Sequence, residues 1–137
     1  MKRLLPAAVF LAFSTGASAN GLYGLWDSEH DSPTDKYVRV SIEPCENNKS
    51  KACGTIIEVY ENGALKPESE VLGKAIIWDM TPATASSWKS GKIWAPDSGK
   101  TYKSKMQLVG SSQLKVSGCV LGGLICRDQV WNRAPDT

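Results

Sequence analysis

Histidine is almost missing from this chain, with His30 alone among 137 residues. A Ser or Cys nucleophile needs an imidazole as its base. His30 sits in a polar segment beside Asp27, Glu29 and Asp31, so it reads as a solvated loop histidine. None of the four cysteines forms a C-x-x-C spacing, which removes dithiol redox chemistry and leaves a zinc site short of ligands. The longest uncharged apolar run, Leu4 to Phe13, falls well short of the roughly 20 residues of a membrane span. An excess of one charge is lacking too, with 16 Lys+Arg against 14 Asp+Glu.

The first residues explain part of this. Lys2 and Arg3 precede the apolar run, and Ala17-Ser18-Ala19 is an A-x-A cleavage site. Residues 1–19 therefore read as a secretory signal peptide, cut before Asn20. With no Cys at the cut, a bacterial lipid anchor is not expected. The remaining 118 residues carry 14 basic and 14 acidic side chains, all five Trp and no Phe. This neutral balance gives no electrostatic reason to expect nucleic acid or an anionic membrane as the main partner. Residues 20–137 suit one soluble domain that buries roughly two-thirds of its unfolded surface.

Four Cys in an oxidising compartment allow three pairings. Cys45 and Cys53 bracket a polar, turn-like stretch, and Cys119 and Cys126 bracket Gly122-Gly123 between apolar runs, a hairpin signal. A two-residue turn there pairs Leu121 with Leu124 and Cys119 with Cys126, so Cys45–Cys53 and Cys119–Cys126 are the preferred bonds. A longer turn would reverse the faces of the last strand.

Period-two alternation dominates the rest, and helical periodicity is nearly absent. Eight strands are expected near Leu22–Asp27, Lys36–Glu43, Cys53–Tyr60, Lys74–Met80, Trp88–Ala95, Thr101–Leu108, Gln113–Val120 and Ile125–Arg133. Ser32-Pro33, Asn62-Gly63, Thr81-Pro82, Pro96-Asp97-Ser98-Gly99, Gly110-Ser111 and Gly122-Gly123 supply turns, and Pro67 to Leu72 could form one helical turn. Eight short strands and tight turns indicate an antiparallel up-and-down barrel or a sandwich. Tyr102, Ser104, Met106 and Leu108 share one face of their strand, with Lys103 and Lys105 on the other. A lysine-studded outside is incompatible with a lipid-embedded barrel.

On the last strand, an outward Cys126 sends Arg127, Gln129, Trp131 and Arg133 inward, among Leu114, Val116 and Gly118. A buried Arg requires a partner. Arg127 and Gln129 are therefore candidates for holding the polar or anionic head of a small apolar molecule; otherwise Arg127 is bonded to Asp79, Glu58 or a carbonyl. Trp78, Trp88 and Trp94 are candidates to line a cavity mouth, although Ala75-Ile76-Ile77-Trp78 is apolar throughout and suits a core position for Trp78.

Other constellations carry less. Gly99-Lys100-Thr101 looks like the end of a phosphate loop, but Trp94 occupies the required glycine position, and the segment reads as a hairpin turn. Ser86-Ser87-Trp88-Lys89 has an S-x-x-K spacing without its partner motifs. Asp79, Asp97 and Asp128 could supply paired carboxylates, but the sequence brings no two of them together.

Gly24-Leu25-Trp26 and Trp131-Asn132-Arg133 resemble the two ends of a lipocalin-like (calycin) barrel. In that superfamily a G-x-W motif opens the chain, and a basic side chain from the final strand crosses the Trp. Nearly all of the chain after residue 19 is similar to the small secreted bacterial family called domain of unknown function 2147. The resemblance is carried by Cys53-Gly54-Thr55-Ile56, Leu72-Gly73-Lys74, Ile77-Trp78-Asp79-Met80, Gly91-Lys92-Ile93, Pro96-Asp97-Ser98-Gly99-Lys100-Thr101-Tyr102 and Leu114-Lys115-Val116-Ser117-Gly118, with the two end motifs. Where that family usually has an acidic residue before the Pro, this chain has Ala95. The resemblance implies a lipocalin-like barrel closed by Trp26, Trp131 and Arg133, and implies no reaction.

The expectation is thus an all-β, disulfide-stapled, eight-stranded lipocalin-like barrel, periplasmic or secreted, which binds a small apolar or amphipathic ligand without catalysis, cofactor or metal. Its candidate ligand residues are Arg127, Gln129, Trp94, Trp78, Tyr102 and Met106. The alternative is a protein-interaction module with a filled barrel, acting through its outer surface.

Overall fold

Alternating burial along each strand shapes the computed structural model, which describes residues 21–135; the expected signal peptide lies outside them. The strands are β1 (Gly24–Asp27), β2 (Tyr37–Pro44), β3 (Ala52–Glu61), β4 (Ala64–Leu65), β5 (Ala75–Thr84), β6 (Ser87–Ala95), β7 (Lys100–Val109), β8 (Gln113–Val120) and β9 (Ile125–Arg133). All pairings are antiparallel, and β1-β2-β3-β5-β6-β7-β8-β9 closes on itself because β9 also pairs with β1. The short β4 folds back on the end of β3, through Tyr60↔Leu65. Closure gives each of these eight strands a partner on both sides, although the β1–β9 pairing is short.

The eight expected strands are the eight staves of this barrel, and both expected disulfides, Cys45–Cys53 and Cys119–Cys126, are present. The expected two-residue turn is corrected: Leu121–Leu124 form a four-residue turn, and Val120↔Ile125 is the last ladder pair. Leu121 and Leu124 do not pair in the ladder, yet Cys119 still stands opposite Cys126 because the turn is longer by an even number of residues. Gly122 and Gly123 have φ 69 and 97, which a tight hairpin turn requires. Leu121 is also left-handed, at φ 54, a conformation that costs a side-chain-bearing residue about 1 kcal/mol.

Two further local expectations are corrected. Thr81-Pro82 is not a turn: β5 runs on to Thr84, with Pro82 opposite Trp88 and a register shift after it. Such an irregularity accommodates a residue that cannot donate to the ladder. Pro67 to Leu72 form no helical turn. The bonds Ser69 N to Lys66 O (3.3 Å), Leu72 N to Ser69 O (3.4 Å) and Lys74 N to Val71 O (3.1 Å) close separate turns instead of a consecutive helical ladder.

Inward side chains build one cluster, with Val38, Val40 and Ile42 from β2, Ile56 and Val59 from β3, Ile77 and Met80 from β5, and Met106, Leu114 and Val116 from β7 and β8. Gly54 allows the close approach of two of these staves. A Cβ there would lie 2.8 Å from both the Val40 and Ile77 side chains.

The floor is Leu22, Trp26 and Trp131, all essentially inaccessible. The Trp26 indole donates to Leu22 O at 2.8 Å. Across its face lies the Arg133 guanidinium, 4.0 Å from the ring centroid, which also donates to the carbonyls of Gly21 and Tyr23. This is the Trp–Arg crossing implied by the end motifs. Gly24 makes room for it, since a Cβ there would sit 3.3 Å from Arg133 Nη1, on a backbone at φ +125.

Arg133→Lys keeps the charge but loses the planar fork and its stacking. The expected outcome is a loss of about 1–3 kcal/mol of unfolding free energy, read as a lower urea midpoint with an unchanged m-value.

Candidate functional site

Antiparallel order places the segment 28–36, the segment 62–74, the Pro96–Gly99 turn and the Leu121–Leu124 turn at the end away from the floor. At that mouth the wall forks. The last β7–β8 pair is Lys103↔Cys119. Beyond it β7 continues to Lys100 paired only with β6, and β8 continues to Val120 paired only with β9. The two hairpins therefore stand apart, and an open cleft of about 500 Å³ lies between Lys100–Lys103 on one side and Cys119–Gly122 on the other. It offers two ammonium groups, the Tyr102 ring and the apolar surface of Val120 and Leu121.

The interior below is occupied. Met106, expected to line a ligand cavity, is core, with 2% of its surface exposed. Tyr102 is half-buried at the cleft. Gln129 lies opposite Val116 and accepts a hydrogen bond from Trp131 Nε1 at 2.9 Å. Arg127 follows the predicted alternation, opposite Gly118, but it is exposed at the mouth and, among the described residues, makes no ion pair. The expected buried partnership with Asp79 or Glu58 does not form, and Glu58 bonds elsewhere. Ser104, between Gly91 and Gly118 on the inner face, has a buried hydroxyl without a partner among the described residues. It lies just below Tyr102 along β7 and would bond a water or a polar ligand atom.

Trp78 and Trp94 stand on the outer wall. Trp78 is opposite Lys92 and Trp94 opposite Thr101, and with Lys74 and Ala75 they bound a shallow groove of about 410 Å³. Neither lines the mouth cleft. The reason is local: Asp79 and Ser90 have φ 59 and 60, and register shifts interrupt the pairing around them, so strict alternation fails. Of the candidate carboxylates, Asp128 accepts the Ser117 hydroxyl at 2.5 Å, while Asp79 lies on β5 and Asp97 in the β6–β7 turn.

A cluster not foreseen from the sequence sits on the outside of β1–β3. Arg39 donates to both Asp27 oxygens, from Nε at 2.7 Å and Nη2 at 3.0 Å, and from Nη1 to Glu58 and the Tyr60 hydroxyl at 3.3 Å each. Tyr60 donates to Glu58 at 2.7 Å. Tyr37 stacks between Tyr60 and the exposed His30, with centroids 4.9 and 4.0 Å away, and His30 Nδ1 pairs with Asp35. Each member is ordinary in sequence, and only the register Asp27↔Arg39↔Glu58 joins them. The hydrogen bond to Glu58 raises the Tyr60 pKa above 10.0, burial and the Asp27 charge raise that of Tyr37, and the Asp27 bond holds Arg39 firmly charged. The cluster clamps three staves beneath the 28–36 loop.

A phenol pKa raised by folding contributes stability that is present below the ordinary value of 10.0 and is lost as pH climbs through the folded value. The unfolding midpoint is therefore expected to fall as pH rises above the ordinary phenol value of 10.0, and Tyr60→Phe should flatten part of that fall. Denaturant titrations followed by tryptophan fluorescence measure it.

Known proteins bear out the fold. A family model described as an uncharacterized protein conserved in bacteria (DUF2147) matches residues 24–133. Among solved structures, protein HP1028 from Helicobacter pylori, described as belonging to the lipocalin family, aligns over 84% of each chain with a TM-score of 0.63 and 18% identity, a likeness of fold. No curated protein matches the chain.

Proposed function

The chain belongs to the DUF2147 family of proteins conserved in bacteria, and we propose that it is an exported binding barrel that holds a small amphipathic molecule with an acidic head group at its open end. The forked mouth carries this reading. Its volume of about 500 Å³ lies in the range that small-molecule sites use, and it combines apolar walls with a few convergent polar groups. Lys100 and Lys103 line the cleft and would meet the head group from β7. Arg127 does not line it and would reach in from β9 opposite Gly118, and Tyr102, Val120 and Leu121 would take the apolar body. The Ser104 hydroxyl below Tyr102 could accept one further polar contact. Because the lower barrel is packed by Met106, Val116 and Trp131, the ligand would sit at the rim instead of deep inside.

Export rests on the reading of residues 1–19 and on two disulfides, which persist in oxidising compartments. A periplasmic or secreted location follows from this reading. The filled lower barrel also favours the second reading, a protein-interaction module acting through its outer surface.

Native mass spectrometry of residues 20–137, exported in a bacterial host and purified without detergent, tests the proposal. An added mass released by denaturation is the expected result. Losing one charge-assisted contact, in Arg127→Ala or Lys103→Gln, should weaken retention about tenfold or more. Retention unchanged in both variants would remove the head-group role, and a mass without adduct would favour a protein partner.

A further inference from the structure

Overall neutrality conceals a sorted charge distribution. β6, β7 and β8 carry Lys89, Lys92, Lys100, Lys103, Lys105 and Lys115 and not one Asp or Glu. The first five are exposed, and among the described residues none of the six makes an ion pair. Asp97, in the β6–β7 turn, is the acidic residue between positions 87 and 120. Lys92 and Lys103 stand directly opposite each other across the ladder, an arrangement of like charges that is unfavourable until an anion arrives. Trp78, opposite Lys92, and Trp94, opposite Thr101, share this outer wall. Indole rings among lysines are characteristic of the membrane–water interface.

At the mouth end of the same wall, the β8–β9 turn exposes Leu121, Leu124 and Ile125 by 67%, 85% and 57%, more than any other large hydrophobic residue described. The Cys119–Cys126 bond staples the base of this tip. We propose that the apolar tip and the lysine wall together dock the barrel on an anionic phospholipid surface, with Leu124 and Ile125 entering the headgroup–acyl boundary and the lysines meeting lipid phosphates. Stable attachment to a bilayer without a spanning segment takes two signals, apolar insertion and a basic patch, and this hairpin and wall supply both. A fluid anionic surface suits flexible lysines that have no fixed carboxylate partners. The tip is only one turn wide, far below the roughly 800 Å² per partner of a stable protein interface. The surface shares Lys100, Lys103 and Leu121 with the mouth cleft, so the inference is tested on Leu124, Ile125, Lys92 and Lys105, which do not line that cleft.

Flotation of the chain (residues 20–137) with vesicles of phosphatidylcholine, with or without phosphatidylglycerol, tests this. Binding is expected only with phosphatidylglycerol and should weaken steeply as salt rises. Leu124→Ser with Ile125→Ser, and separately Lys92→Gln with Lys105→Gln, should each weaken it about tenfold or more, with unfolding midpoints unchanged because these side chains are exposed. Equal binding to neutral vesicles, or undiminished binding by either double variant, would overturn the proposal. So would a dimer in sedimentation that the Leu124→Ser variant lacks, because the tip would then be a self-association site. Failure here with an intact adduct in native mass spectrometry would leave the mouth-cleft reading standing.

Discussion

Everything in this barrel depends on closing its ends, and the seam is thin. β1 is four residues long and meets β9 through only Trp26↔Arg133 and Asp27↔Asn132. Two ladder pairs leave most of the closure to side chains. One guanidinium does much of it, stacking on the Trp26 indole while its N–H groups bond carbonyls of the incoming chain. A planar, permanently charged fork can stack and donate at once, which an ammonium cannot do. The remaining staves are joined by long ladders, such as the eight register pairs between β8 and β9.

The same closure divides the molecule into ends of different build. The floor is dry and packed by two indoles. The mouth is where the hairpins outgrow their neighbours, so the unpaired lengths of β7 and β8 frame a cleft without any inserted loop. A barrel with a packed base and a forked rim can accept change at the rim while its core stays intact.

Most of the fold was legible because the signals were local. Alternation placed all eight staves, turn chemistry at Gly122-Gly123 marked the hairpin that sets Cys119 opposite Cys126, and the end motifs marked Trp26 and Arg133 as partners. What escaped was non-local or irregular. The left-handed Asp79 and Ser90 interrupt alternation and turn Trp78 and Trp94 to the outer wall, although an unbroken apolar run suggested core for Trp78. Arg127 kept its predicted face, but a face says nothing about height along the barrel, and at the mouth an inward residue is still wet. The Arg39 cluster required pairing across three strands. Net charge misled for a related reason: it sums over the chain, whereas a partner meets one wall, and topology gathered the lysines of three consecutive strands there.

The four cysteines are bonded first with second and third with fourth along the chain, with separations of eight and seven residues. That order has a bearing on biogenesis. An oxidant that pairs thiols in chain order, first with second and third with fourth, arrives at the native connectivity directly. No scrambled bond has to be undone, and such a chain has no intrinsic need of a disulfide isomerase.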